Sequence, residues 1–235
     1  MKYAIIGAGG TGGCLGFFLE KAGKETVVIP ILNIYGTGGR LQKKLPELTV
    51  PDGCIYVSAN ILEPGVILQH GKILRVVFGA RKPEEETEKM REVTKDMASD
   101  EMEVVLSENI RRDAMVKFSY VSPIGAAGLY CNAVAADFQR EGEQREMFKA
   151  LICEITALSH AMGIEFEEDL VERNLKILAS LSPEATTSMQ RDVMEGKRSE
   201  MDGLVYEVVR MGREYKVSMP QYEKAAACFR EQGIL

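Results

Sequence analysis

The sequence predicts an α/β fold in two parts. An N-terminal domain of alternating strands and helices spans residues 1–106, and an all-helical domain spans residues 107–235. Three observations predict it. A strand-like run at the start ends in a glycine-rich turn that opens a helix. Short β-type runs and helical runs then alternate up to residue 106. Beyond Ser107 the apolar residues fall almost throughout at helical spacing. The 235 residues, 46% hydrophobic and 27% charged, have the composition of a water-soluble globular protein. The chain is long enough to bury one large core or two small ones.

Residues 3–6 are a short apolar run of β-type residues. Residues 11–22 place Leu15, Phe18, Leu19 and Ala22 at helical spacing. Between them, Gly7, Ala8, Gly9, Gly10, Thr11 and Gly12 match G-x-G-x-x-G. In that setting the first glycine makes the tight turn and the second lets the backbone approach a pyrophosphate. The third lets helix and strand pack closely, and the helix N-terminus faces the negative charge. The six residues are therefore candidate cofactor-binding residues, and the first domain reads as a Rossmann-type dinucleotide-binding domain. The alternative is a glycine-rich turn that binds nothing, or another nucleotide-containing ligand. One expected element is absent. Such a fold places a charged residue ~20 positions on, at the end of the second strand, to read the ribose. Here Glu25 precedes that strand, and only one strand–helix unit stands where two are usual.

The remaining elements follow in order. Residues 26–32 form a continuous apolar run, rich in β-branched residues, of the kind buried in a parallel sheet. Residues 54–58, 66–69, 74–79 and 102–106 read as further strands, the second and third of these forming a hairpin around Gly71. Residues 83–99 are charged and helix-prone, with Pro83 at the first helical position. Three apolar stripes mark the second half. They are Phe148, Leu151, Ile152, Ile155 and Leu158; then Val171, Leu175, Leu178 and Leu181; then Met201, Leu204, Val205, Val208 and Gly212. These stripes exceed what one small domain needs, which is compatible with a homodimer through the helices.

Composition excludes several classes of function. A net charge of −6 with no block of Lys or Arg argues against nucleic acid or an anionic membrane as partner. The apolar run at the N-terminus is too short for a signal-peptide core, and no stretch is long and apolar enough to span a bilayer, so a cytoplasmic location is expected. Five cysteines, an odd number with no C-x-x-C pair, read as free thiols in a reducing compartment. The two histidines, His70 and His160, have no ligand spacing, and no metal site is expected.

Four residues of the helical half stand out. Ser107 reads as a helix cap, followed by Ile110, Ala114, Lys117 and Val121 on one face. Lys117 thus sits in an apolar stripe, where lysine is costly. Burial lowers a lysine pKa and prepares it for proton transfer. The blander reading, favoured by pattern alone, lays the stem on the stripe with the ammonium in water. Glu200 falls in the first turn of a helix opened by Ser199, with Asp202 completing a capping-box-like pair. It can orient a substrate hydroxyl or merely complement the helix dipole. Ser188 lies in a small polar run and reads equally as a turn or cap serine. Ser122-Pro123 ends or kinks the Lys117 helix, and the run from Gly125 to Gly128 allows close packing there.

Taken together, several landmarks resemble the ketopantoate reductase (2-dehydropantoate 2-reductase) family. They are the run from Ile5 to Gly12; the strand ending in Asn33 with Gly36; the segments Tyr56 to Ala59, Pro64 to Val66, His70-Gly71 and Phe78-Gly79; and Lys117-Phe118. Near the end come Thr187 to Asp192, Ser199 to Gly203, and Pro220. The resemblance implies a Rossmann domain followed by a helical domain, and reduction of the ketone of 2-dehydropantoate by NADPH. It makes Lys117 the general acid that protonates the carbonyl oxygen. Glu200 would hold the substrate hydroxyl and Ser188 the carboxylate, and Asn33 would lie near nicotinamide and substrate. It overturns the blander reading of Lys117. Three departures accompany it. Two asparagines that follow the family lysine are matched here by Val121 and Gly125, with Ser122 a partial substitute. The asparagine–glycine turn reads Asn33-Ile34-Tyr35-Gly36. Between Lys24 and Glu25 the family carries further strands and helices, with the loop that selects NADP and a second lysine. Either a segment has been left out of the sequence, the favoured reading, or the protein is a shortened paralogue.

The expected function is NADPH-dependent reduction of a small 2-oxo acid, with 2-dehydropantoate first and another branched 2-oxo acid second. The alternatives are a non-catalytic dinucleotide-binding regulatory paralogue and a purely structural dimer.

Overall fold

The computed structural model describes residues 27–63 and 65–234. The glycine turn at residues 7–12, with the strand and helix expected on either side of it, lies outside the described residues. The full sequence runs from Lys24 to Glu25 without interruption. The chain divides into two compact units, Met1–Ala114 and Met115–Leu235.

In the first unit, helix α1 (Thr37–Lys44) is followed by strands β1 (Asp52–Glu63) and β2 (Val66–Gly79). A short 3-10 turn (Pro83–Glu85), helix α2 (Glu88–Met97) and strand β3 (Glu103–Leu106) complete it. The sheet runs β1-β2-β3, antiparallel between β1 and β2 and parallel between β2 and β3. The return from β2 to a parallel β3 needs a crossover, which α2 supplies. Alternation along β2 sends Val76 and Phe78 to one face, where they meet Val27, Ile29, Met90 and Val93. Val77 points to the other face and meets Cys54 and Ile110.

Three expectations change here. The run at 26–32 forms a single parallel bridge, Val27 to Thr49, among the described residues. Pro30 offers no N–H with which to continue a ladder. The two strands expected around Gly71 are one strand, β2. The hairpin turns instead between Glu63 and Val66, where Gly65 adopts φ 88°. Gly71 (φ 77°) lies in a bulge where Val57 pairs with Leu74 but Ala59 with Gln69. The helix expected over 83–99 is split into the 3-10 turn and α2. Helix α1 was not anticipated.

Helix α3 (Ile110–Cys131) carries the boundary between the units within it. The second unit continues with α4 (Ala135–Gln139), α5 (Glu143–Ala161), α6 (Leu170–Ala179) and α7 (Ser188–Met194). A π-helical turn (Asp202–Tyr206) leads into α8 (Glu207–Tyr215), and α9 (Pro220–Glu231) follows. α5 is central, packing against α4, α6, α8 and α9. Phe148, Leu151, Ile152, Ile155 and Leu158 are all fully buried. The third stripe is buried as well. On α6 the buried face is Leu170, Asn174 and Leu178, while Leu181 is exposed, so the second stripe is rotated from its expected position. With the first and third stripes covered inside the unit, neither argues for a second copy. Among the described residues no helix is long and apolar enough to cross a membrane.

Candidate active site

Lys117 is half-buried on α3. That helix is capped by Asn109, whose Oδ1 accepts from Arg112 N at 3.2 Å. Ser107, the expected cap, makes a turn one step earlier. Its Oγ accepts from Asn109 N at 3.0 Å and donates to Asp113 Oδ2 at 2.6 Å. The helix runs through Pro123 rather than ending there. Proline has no N–H, so the carbonyl of Ser119, four residues back, loses its helical partner. Asn174 of α6, fully buried, replaces it, donating from Nδ2 to Ser119 O at 2.9 Å and to Ser119 Oγ at 3.1 Å. The turn that follows Lys117 is thereby pinned to a second helix. Tyr120, next to Ser119, packs edge-on against Phe148 at 6.0 Å between ring centroids. Burial pushes its phenol up to about 12.

Glu200 is half-buried at the entry to the π turn. Ser199 Oγ accepts from Met201 N at 3.3 Å, one position short of the Asp202 N–H that the expected capping box uses. Glu200 O accepts from Leu204 N at 2.9 Å. The following turn widens, with Glu207 N reaching back to Asp202 O. Asp202 accepts from both terminal nitrogens of Arg210, at 2.9 and 3.0 Å.

Ser122 differs from its expected setting. It is fully buried, donating to Leu204 O at 2.6 Å and lying 2.5 Å from the Tyr222 hydroxyl. With its one proton committed inside the core, it has none to offer a substrate. The expected direct contact is therefore corrected to a packing position.

Ser188 is exposed at the first helical position of α7, just after the N-cap Thr187. Thr187 and Gln190 form a capping box, Gln190 N donating to Thr187 Oγ1 at 3.2 Å and Thr187 N to Gln190 Oε1 at 3.0 Å. The other end of the Gln190 amide donates to Ala133 O at 2.9 Å. Glycines on α3 make room for this helix. A Cβ on Gly128 would meet Gln190 Oε1 at 2.6 Å, and one on Gly125 would meet Met189 Cε at 2.9 Å.

Lys117, Ser122, Ser188 and Glu200 all belong to the second unit. The elements that carry Ser188 and Glu200 both rest on α3, the helix of Lys117. Asn33 lies in the first unit, half-buried before the turn that leads into α1. There Gly36 adopts φ 70° and Thr37 Oγ1 donates to Ile34 O at 2.8 Å. The N-terminus of α1 is closed by Asp52, whose Oδ1 accepts from Gly39 N at 3.2 Å. Burial raises the Asp52 carboxyl, and the nearby Arg81 opposes the rise. Gly7, Ala8, Gly9, Gly10, Thr11 and Gly12 fall outside the described residues. Sequence reasoning passed over Asn174, Gln190 and Tyr222. Thr187-x-x-Gln190 is a readable capping box, whereas Asn174 and Tyr222 carry no local signal.

Comparison with known proteins supplies the family. The model for the C-terminal domain of ketopantoate reductase PanE/ApbA matches residues 109–232, more than half of the chain. The chain belongs to this family. An uncharacterised oxidoreductase of Bacillus subtilis, YkpB, is 24% identical over 205 residues, spanning 87% of this chain and 67% of the relative. The crystal structure of 2-dehydropantoate 2-reductase from Methylococcus capsulatus superposes with a TM-score of 0.77 at 20% identity, covering 99% of this chain and 72% of that one. The complex of D-mandelate dehydrogenase with NADH gives a TM-score of 0.72 at 17% identity, covering 99% of this chain and 100% of that one. The fold is that of the ketopantoate reductases, a Rossmann-like N-terminal domain followed by a helical domain.

Proposed function

We propose that the protein is an NADPH-dependent reductase of a small 2-oxo acid, with 2-dehydropantoate as the first substrate to test. One observation carries the reading. Lys117 is half-buried on a helix held by Asn174, and Glu200 sits on an element hydrogen-bonded to that same helix. A lysine so placed suits general acid chemistry. When bound, NADPH would supply the hydride for the carbonyl carbon. Lys117 gives a proton to the carbonyl oxygen, so ketone becomes alcohol with both charges balanced. Glu200 holds the substrate hydroxyl and Ser188 the carboxylate. The glycine turn at Gly7 to Gly12 supports a dinucleotide from sequence. The NADH complex of D-mandelate dehydrogenase supports a nicotinamide one.

Another 2-oxo acid with an apolar branch is the second reading. Val121 and Gly125 bring no amide to the substrate, and the Met189 methyl fills the space in front of Gly125. A regulatory, non-catalytic paralogue is favoured by the direct junction of Lys24 to Glu25. NADPH oxidation over a panel of 2-oxo acids separates the three. Lys117→Ala should abolish turnover while NADPH affinity stays within a few fold. Normal turnover in that variant removes Lys117 from the chemistry. Tight NADPH binding with no consumption by the wild type favours the paralogue.

A further inference from the structure

Ser122, Leu204 and Tyr222 form a buried hydrogen-bond chain whose direction is fixed by chemistry. The Leu204 carbonyl can only accept, so the single Ser122 proton goes to it, at 2.6 Å. The contact of 2.5 Å between Ser122 and Tyr222 must then be made by the Tyr222 proton. Burial holds the Tyr222 phenol well above its usual range, which keeps it a donor at any pH the protein meets. The chain continues past Leu204, whose N–H donates to Glu200 O at 2.9 Å. It is also anchored behind Tyr222, whose backbone N–H donates to the buried Glu154 at 3.1 Å, beside Gln221 N at 2.7 Å.

The two ends of this chain are informative. Ser122 lies five positions beyond Lys117 on α3, about 7.5 Å along the axis. Leu204 lies within the π turn, whose N-cap, Met201, directly follows Glu200. Turns of this kind are uncommon and occur mostly as single turns, frequently at functional sites. An apolar pair could fill the same buried space without leaving any polar group to satisfy. The hydroxyls add direction, tying one peptide of the π turn to one point on α3.

We propose that Ser122 and Tyr222 are positioning residues: their relay through Leu204 holds the backbone of Glu200 in register with the helix that carries Lys117. The inference rests on the reductase reading for its catalytic consequence, but the coupling itself is measurable without turnover.

The test compares Tyr222→Phe and Ser122→Ala in the full chain with Ile155→Val. That control is a fully buried apolar position of α5 that lowers the melting temperature without touching the relay. Amide hydrogen exchange of residues 200–208 should speed up by roughly tenfold in both relay variants, the worth of one buried hydrogen bond, and stay unchanged in the control. With a 2-oxo acid and NADPH, kcat should fall by a similar factor while the Kd for NADPH holds. The double variant should be no worse than Ser122→Ala alone, because both changes cut one chain. Exchange and kcat that match the control at equal melting temperature overturn the relay. A wild type that reduces no 2-oxo acid removes the reductase reading, and the exchange result then decides the coupling by itself.

Discussion

Gly128→Ala tests how α7, the helix that begins at Ser188, is seated on α3. An added Cβ would lie 2.6 Å from Gln190 Oε1, 2.7 Å from its Cδ and 2.9 Å from its Nε2. The amide cannot swing aside freely, since it accepts from Thr187 N at one end and donates to Ala133 O at the other. Overpacking of this kind costs about 1–3 kcal/mol, and losing either amide bond adds roughly 1 kcal/mol. Against this, alanine gains about 1 kcal/mol over glycine inside a helix. The net expectation is a loss of about 2 kcal/mol, or a melting temperature lower by roughly 5 °C. Gly125→Ala provides the contrast. Its Cβ meets Met189 alone, Cε at 2.9 Å and Sδ at 4.0 Å, the far end of a flexible side chain. There the helix gain offsets a small shift, leaving stability within about 0.5 kcal/mol of the parent. Thermal and denaturant unfolding of the two variants decide the matter. If both lose the same amount, the tight seat of Gln190 on Gly128 is not what fixes α7. Gln190→Ala in the Gly128→Ala background should recover part of the loss, because it removes the atoms in collision.

Two further outcomes follow from the buried polar groups. Asn174→Ala should cost about 2 kcal/mol, because it strips the carbonyl of Ser119 of the donor that replaces the missing proline N–H. Adding Pro123→Ala gives that carbonyl a helical partner again, so denaturant melts should show the pair costing less than the sum of the two single changes. Glu154 titrates in an unusual sense. Burial raises its carboxyl above the ordinary value, outweighing the two α9 N–H groups that favour the ionised form. Its contribution to stability is therefore complete below the usual glutamate range, about 4.3, and is lost as pH rises through the raised folded value. Unfolding of the wild type and Glu154→Gln from acid to neutral pH should show the variant gaining ground as pH rises. A variant that loses ground instead would mean that the N–H groups win over burial.

How much of this was legible in the sequence depended on whether a residue's partner was local. The stripe of α5 reads directly, because five apolar positions at helical spacing need only a core to face. Ser199 as a cap and the glycines opposite α7 read for the same reason. Each is a short-range rule about one helix end or one close approach. The strand at 26–32 misread because apolar composition outweighed Pro30, whose missing donor limits the described residues there to one bridge. The hairpin misread because Gly71 looks like a turn, whereas its positive φ serves a bulge inside one long strand.

The site divides along the same line. Lys117 stood out as a cation on an apolar face, but pattern alone favoured a stem with its ammonium in water, and only the family resemblance gave it a role. What holds the neighbouring turn could not be visible. Asn174 is 55 positions from Ser119, and Tyr222 is 100 positions from Ser122. Neither contact has a local pattern, and the first becomes intelligible only once Pro123 is seen to leave the Ser119 carbonyl in need of an outside donor. The polar residues of this helical unit are therefore best read as answers to backbone irregularities. Those irregularities fall beside the two residues, Lys117 and Glu200, to which the reductase reading assigns the chemistry.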